Sequence, residues 1–534
     1  MGVPAAHTSC LMRVAEAAPS RWPGRLDVRI RADRMTAEMA CAATDLPDVC
    51  RWLVSEMGYS FATLIVQEGM SDWLLRYVFY GDLGSGCVQV AVRTPKSEER
   101  IPSIASQVHA ADWHERETED LFGLLFEGHP RLGDFVLHEE WPEGVNPMRA
   151  AFDASKPYRR REPDPEWRPQ RIVQSPGAFV MPVGPVYSDQ AESAHFLLET
   201  VGEDVIRTIP RFFYKYRGVE KIAEGRRLED VVLLAERFSG TSAFAHSLAF
   251  CQVVEQICGV EPPTRARMLR ILFCELERFR HHVHAVASLC NSTGLGVASS
   301  QAGILEEDLL RLSCTVAGHR YLFGLNIPGG LTRDLETESC GRLRNEVRAI
   351  LKKFLGLQEM LRFSSSFLDR LEEVGIVAPE EAFAYGLVGP VARASGIRRD
   401  LRKVLPYSGY EQVDFEVPCE EEGDSYARLR VLFQEAEQSV GILSQVVSSL
   451  PSGPVRLPSF SVAAGSALGW VEAPNGAAFH WVVATETGEV ARYRVTPPSF
   501  TNWHGFHLAA EDFAFQDFPI IMASFGLSNA ESDR

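Results

Sequence analysis

The sequence offers little cysteine chemistry. Its 11 cysteines are scattered, no two are spaced Cys-x-x-Cys, and none lies beyond Cys419. An odd, dispersed set in a large chain reads as buried, reduced thiols of a cytoplasmic protein and not as a disulfide framework. Iron–sulfur clusters take four convergent thiolates, so this spacing argues against a cluster held by the chain alone. No apolar run approaches the roughly 18 residues that a membrane helix requires. The first residues lack a basic segment followed by an apolar one, so no secretory signal is expected. Cations are in the minority: 54 Lys and Arg against 71 Asp and Glu leave a net charge of −17. Phosphate binding needs clustered cations, so nucleic acid is not expected as a partner. No His-Glu-x-x-His is present, and the glycines lack the spacing of a phosphate-cradling loop. Neither a metal site nor a nucleotide site is therefore expected.

What is present is organised. At 534 residues the chain exceeds one ordinary core. Residues 25–150 read as a small α+β domain, with strands at 73–80 and 87–93 joined by the turn-rich Gly81-Asp82-Leu83-Gly84-Ser85-Gly86. The stretch 151–176 is rich in Pro, Arg and Asp and reads as a linker. The remainder, 177–534, opens with strands at 177–183 and 194–208. It turns helical from Leu228 to about Leu450, with helices over 264–290, 302–324, 334–373 and 425–450. Pro262 and Pro263 precede the first of these, with Thr264 as its expected N-cap. From 458 to 534, short strands alternate with turns. The fold class is thus α+β: a small N-terminal α+β domain, then a mainly helical bundle with short peripheral sheets.

Polar clusters mark candidate sites. In 113–130, Glu115, Glu119 and Phe122 share helical spacing, as do Arg116 and Asp120, the pattern of a charged, solvent-facing helix. His195, taken alone, reads as structural. The helix over 264–290 carries Glu275, Glu277, Arg278, His281, His282 and His284; Glu277 with His281, and Arg278 with His282, are i,i+4 neighbours able to meet. Arg393, between small residues, is placed to project its guanidinium into a cavity, while Arg398, Arg399, Arg402 and Lys403 read as a docking surface.

The run Glu115-Arg116-Glu117-Thr118-Glu119-Asp120-Leu121-Phe122-Gly123, followed by Phe126-Glu127-Gly128-His129-Pro130, resembles the signature of the C-type subunit of respiratory complex I. From about 177 onward the chain resembles the superfamily uniting the D-type subunit of complex I with the large subunits of [NiFe] hydrogenases. The matching pieces are Gly184-Pro185, His195, Arg217 to Lys221, Phe273 to His282, Gly389 to Gly396 and Gly423 to Arg428. The fused order is similar to the large subunit of formate-hydrogenlyase-type, energy-converting hydrogenases.

The departures carry as much information. The superfamily holds nickel and iron on four cysteines, in Arg-x-Cys-Gly-x-Cys and a C-terminal Cys-x-x-Cys. Here those segments read Arg237-Phe238-Ser239-Gly240-Thr241-Ser242 and Ser528-Asn529-Ala530-Glu531. Hydroxyls and a carboxylate are poor substitutes for soft sulfur ligands, so hydrogen activation is not expected. Of the quinone-binding features that the resemblance implies, His195 matches the histidine. The tyrosine position falls on or next to Gly240, and the supporting aspartate falls near Ser292.

Two readings stay open at this point. In the first, the chain is a peripheral subunit of an NADH:quinone-oxidoreductase-like complex on the cytoplasmic side of the inner membrane, reached through partner subunits. A small partner subunit would carry an iron–sulfur cluster facing the degenerate pocket (Ser239, Gly240, Ser242, Ser528, Glu531), and a quinone is the candidate acceptor. His195 would act on the acceptor, with Glu220, Glu275, His282 and Arg393 supporting coupling to a membrane arm; NADH would be oxidised by other subunits. In the second, the chain is a non-catalytic scaffold of an ion-translocating assembly.

Overall fold

The computed structural model describes residues 5–31, 35–162, 164–166, 176–187 and 192–534. The stretch read as a linker, 151–176, lies partly outside them. The chain divides into two compact units: Met1–Gln170 with Arg211–Tyr216 and Phe383–Gly386, and Arg171–Pro210 with Arg217–Ala382 and Leu387–Arg534.

The first unit is built on a five-stranded sheet, β1 (Asp27–Arg31), β2 (Thr36–Cys41), β3 (Ser60–Glu68), β4 (Asp72–Tyr80) and β5 (Cys87–Pro95), in the order β1-β2-β5-β4-β3. Among the described residues of this sheet, only β2 and β5 run parallel. The hairpin read from the sequence is present: β4 and β5 pair antiparallel from Asp72↔Pro95 to Tyr80↔Cys87. Helix α1 (Ala5–Arg21) packs on β1, and α2 (Leu46–Ser55) packs against β5.

The helix α3 (Asp112–Phe122) corrects the solvent-facing reading of this segment. It buries Trp113, His114, Glu115, Glu117, Thr118, Leu121 and Phe122. Charge usually marks a surface face, but here the key acidic groups have internal donors. Glu115 accepts from Ser103 Oγ at 2.5 Å and the Ile104 amide at 2.9 Å. Asp120 accepts from the amides of Phe135, Val136 and Leu137 at 2.7–3.0 Å, pinning that loop. The Arg116 guanidinium lies 4.3 Å from the Phe135 ring centre. The signature residues of this segment are therefore structural.

Burial drives the Glu115 carboxyl up to about 7, against the pull of Ile104 and Ser103. A carboxyl raised in the fold contributes stability below its unfolded value and loses that contribution as pH rises through the folded one. Glu115→Gln is therefore expected to flatten the loss of stability of this unit between about pH 5 and pH 8, read by amide hydrogen exchange in β3, β4 and β5. An unchanged pH profile would contradict this.

The second unit begins with β6 (Ala178–Val183), β7 (His195–Val201) and β8 (Asp204–Arg211), an antiparallel run. The stretch 194–208, read as one strand, is two, because Gly202 adopts φ +67 and turns the chain. Short α4 (Val219–Ala223) leads to α5 (Leu228–Arg237), α6 (Ala243–Cys258), α7 (Thr264–Ser292), α8 (Gly296–Ala317) and α9 (Thr337–Arg362). α7 packs against α8 and against the long helix Ser425–Ser449. Its N-cap is Pro263 and not Thr264, which is already helical and makes no capping bond. Helix α8 starts six residues earlier than the sequence pattern suggested and ends at Gly318, φ +81. The C-terminal region forms the three-stranded antiparallel sheet Gly465–Ala473, Gly476–Ala484 and Val490–Thr496, on which α6 lies, followed by short helices.

One close backbone approach positions the basic segment. A Cβ at Gly389, φ +67, would sit 2.1 Å from the Asn475 carbonyl oxygen, so only glycine fits where this turn meets the sheet. Among the described residues the cysteines are free; Cys50, Cys87, Cys251, Cys274, Cys290 and Cys340 are buried, whereas Cys314 is exposed, unlike the buried thiols expected.

Candidate functional site

The two departing motifs meet in space. Ser239 lies in the turn between α5 and α6, and Ser242 is the N-cap residue of α6. Ser528 caps the helix Asn529–Asp533, accepting the Glu531 amide at 3.1 Å. At the centre stands the fully buried carboxylate of Glu531. Its Oε1 accepts from Ser242 Oγ, from Ser239 Oγ at 3.2 Å and from His246 Nε2 at 3.1 Å. Its Oε2 accepts from Ser499 Oγ and from the Ser499 amide at 3.2 Å. The Thr241 hydroxyl joins at 3.0 Å from Ser239. Burial pushes the Glu531 carboxyl up, but His246, Ser242 and Ser499 outweigh it and hold the group below its ordinary range.

Ser242 is free for this role because a neighbour takes over its usual one. An N-cap serine normally accepts an amide of the first helical turn. Here Glu277, from α7, accepts the amides of Phe244 at 2.8 Å and Ala245 at 3.0 Å. Burial raises its carboxyl to about 7. The carboxylate of Glu277 thus turns to the start of α6 and not to His281, as the i,i+4 spacing suggested. Gly240 is exposed, and nothing lies within 4 Å of where its Cβ would stand.

His195 opens β7 and is half-buried. The loop before it is tied to the second motif. Glu192 accepts from Ser528 Oγ at 3.1 Å and from the Ala530 amide at 2.8 Å, while its carbonyl accepts from Asn529 Nδ2 at 3.1 Å. Sequence reading missed Glu192, whose only signal is its place three residues before His195.

Glu220, on α4, sits in a cage of arginines. Arg492 Nη2 lies at 3.0 Å, Arg494 Nη1 at 3.2 Å and Arg534 Nε at 3.4 Å, and the Val495 amide donates at 3.2 Å. Burial opposes ionisation, but Arg494, Arg492 and Arg534 overcome it and bring Glu220 down to about 2.

Glu275, His282 and Arg393 belong to a second buried network. Arg393 donates to Glu435 at 2.6 Å and to Glu472 at 2.9 Å, and His282 Nε2 lies 2.9 Å from the other Glu435 oxygen. Arg402 donates to both Glu275 oxygens at 3.0 and 3.1 Å and to Asp400 at 2.6 Å, while Tyr410 donates to Glu275 at 2.6 Å. Arg402, read as part of a docking surface, is thus a buried structural cation. Arg393, read as projecting into a cavity, is instead enclosed by carboxylates. Arg278 and His282 do converge as their spacing suggested, both toward Glu435, with Arg278 at 4.0 Å. Glu435 and Glu472 escaped the sequence reading because a lone carboxylate far along the chain has no pattern, and Asp400 was passed over amid the cations around it.

A small sheet-based unit is followed by a helical unit in which two motifs far apart in sequence converge on one buried carboxylate, Glu531. Residues 39–158 match the family described as respiratory-chain NADH dehydrogenase, 30 Kd subunit. Residues 304–459 and 456–534 match its 49 Kd subunit, and 217–289 match nickel-dependent hydrogenase. Formate hydrogenlyase subunit 5 of Escherichia coli is 30% identical over 499 residues, covering 92% of this chain and 87% of that protein. Hydrogenase-4 component G of the same organism is 31% identical, covering 98% and 92%. The fused C/D-type NADH-quinone oxidoreductase protein of Bdellovibrio bacteriovorus is 27% identical, covering 82% and 83%. The chain belongs to this family of fused complex I C/D-type and hydrogenase large-subunit proteins.

The pocket does not fit the nickel–iron group that the hydrogenase branch implies. The four positions to which the resemblance assigns thiolates supply hydroxyls and one carboxylate, and both oxygens of that carboxylate are already taken by internal donors. Among the described residues, no group of three or more His, Cys, Asp or Glu is placed to hold a metal ion. No described helix is long and apolar enough to cross a membrane.

Proposed function

We propose that the chain is the peripheral-arm subunit of a membrane-associated, complex-I-like or hydrogenase-related oxidoreductase that passes electrons to a quinone at this pocket without a nickel–iron centre. The observation that carries the reading is Glu531, whose carboxylate draws the hydroxyls of Ser239 and Ser242 into one hydrogen-bonded cluster. These bonds keep the pocket's walls together. A small partner subunit brings an iron–sulfur cluster to the pocket, and other complex-I-like subunits link it to a membrane arm on the cytoplasmic side of the inner membrane. The relatives' names support the assembly: one belongs to a formate hydrogenlyase and another to an NADH-quinone oxidoreductase.

His195 is the proton donor or hydrogen-bond partner of the acceptor, on a loop held to the pocket wall by Glu192. The open space above Gly240 leaves room beside the pocket for a flat head group. Glu220 in its arginine cage and the Glu275–His282–Arg393 network respond to charge arriving at the pocket and support coupling. In the purified complex, His195→Ala is expected to lower quinone reduction by about 10²–10⁴-fold, the usual span for loss of a proton-transfer group. Unchanged activity would remove His195 from the reaction.

The saturation of Glu531 favours a second reading, a non-catalytic scaffold, because a pocket that satisfies itself stands without a ligand. An intact complex that reduces no quinone, with its iron–sulfur cluster present, would support it.

A further inference from the structure

Beyond the pocket wall, four buried side chains from four elements form an unbroken hydrogen-bonded line. Glu531 Oε1 lies 3.1 Å from His246 Nε2 on α6. His246 Nδ1 lies 2.9 Å from His480 Nε2 on the strand Gly476–Ala484, and His480 Nδ1 lies 2.8 Å from the Tyr493 hydroxyl on the strand Val490–Thr496. All four residues are fully buried. Neither histidine has a place in the proposed reaction, and His480 and Tyr493 match no motif.

With both imidazoles neutral, counting protons sets the direction of the line. A backbone amide has no choice of role, so the Ser499 N–H makes Glu531 an acceptor at Oε2, while Ser242 and Ser239 supply donors at Oε1. An ionised carboxylate gives nothing back, so His246 carries its proton on Nε2. A neutral imidazole has one N–H and one lone pair, which leaves His246 Nδ1 bare. The His246–His480 contact then takes its proton from His480 Nε2, and His480 Nδ1 in turn accepts the Tyr493 hydroxyl. Burial holds His480 neutral, consistent with this order.

We propose that Glu531 is a positioning residue that imposes one proton arrangement on His246, His480 and Tyr493 and keeps His246 as a fixed N–H donor to the pocket wall. For the redox reading above, and resting on it, the consequence is that His246 is not an acid of the reaction, which leaves that part to His195. The proton arrangement itself does not depend on the reaction.

The test is long-range proton–nitrogen correlation spectroscopy of the full chain, labelled with ¹⁵N in its histidine rings, at about pH 7, where an unperturbed histidine is mostly neutral. The wild-type protein is expected to show both rings neutral and protonated on Nε2, with the His480 signals identified by their loss in His480→Gln. Tyr493→Phe is expected to shift the His480 Nδ1 signal and leave both tautomers in place, because the order is set from the Glu531 end. Glu531→Gln, whose amide can donate or accept, is expected to give His246 a second tautomer. An imidazolium or an Nδ1-protonated ring in the wild-type chain would overturn the proposal, as would an unaltered His246 in Glu531→Gln. If Glu531→Gln does not fold, the wild-type and Tyr493→Phe spectra still decide. Because the spectra need no turnover, a failed quinone assay leaves this result intact.

Discussion

Glu531→Ala is expected to destabilise the second unit by about 3–5 kcal/mol, because it leaves several buried donors unsatisfied at about 1–3 kcal/mol each, less what water recovers. The change does more than delete a carboxylate. It strands the hydroxyls of Ser239, Ser242 and Ser499, the Ser499 amide and His246 Nε2, all now directed at Glu531. A buried donor left without a partner costs about 1–3 kcal/mol, and water entering the vacated space recovers only part of that. Glu531→Gln keeps the shape and one acceptor oxygen, so its cost is smaller. Urea unfolding midpoints of the two variants, compared with wild type at equal slope, measure the difference. Equal midpoints for Glu531→Ala and wild type would show that the cluster contributes nothing to holding the C-terminal helix against α6.

Arg393→Met is expected to be as costly, about 3–5 kcal/mol, and for a related reason. Arg393 serves Glu435 and Glu472 directly and lies 3.6 Å from Asp400, all buried. Burial drives the Glu435 carboxyl up, and Arg393 followed by His282 overcomes this and holds it well below the usual carboxylate range. Glu472 shows the opposite balance: burial and the nearby Asp400 outweigh Arg393 and raise it to about 6. Removing the cation takes away the largest attraction at Glu435 and the only direct ion pair of Glu472 among the described residues, in a low-dielectric interior. Adding Glu435→Gln to Arg393→Met removes one stranded charge, so the double variant is expected to be more stable than Arg393→Met alone. A double-mutant cycle reads this directly. Additive costs would contradict the network. As a control, Arg311→Ala, which breaks only a surface pair with Glu307, is expected to leave the midpoint in place.

Local chemistry made parts of the fold legible. The β4–β5 hairpin followed from aromatic and β-branched runs around a glycine-rich turn, and α7 followed from its apolar spacing behind Pro262 and Pro263. Burial of charge was not legible. Glu115 and Arg402 carry the pattern of a solvated surface, yet each is buried, because its partners come from segments that no periodicity links to it: Ser103 and Ile104 for Glu115, Glu275 for Arg402. In the pocket, Ser239, Ser242, Ser528 and Glu531 were visible only as departures from a resemblance. His246 was missed although it stands four residues after Ser242, one helical turn away on the same face. His480, Tyr493 and Ser499 had no signal at all, since strand pairing and tertiary packing alone bring them to the line. The sequence pattern thus located the pocket, while its contents depended on long-range contacts.

The central claim is that the two motifs close over Glu531 and its hydroxyl donors, so that the segments whose resemblance to the hydrogenase branch implies a metal site hold no nickel. Elemental analysis of the purified, intact complex tests it most directly. The expected result is nickel at background level alongside iron in the amount carried by the partner subunits' clusters. One nickel per copy of this chain would contradict the account.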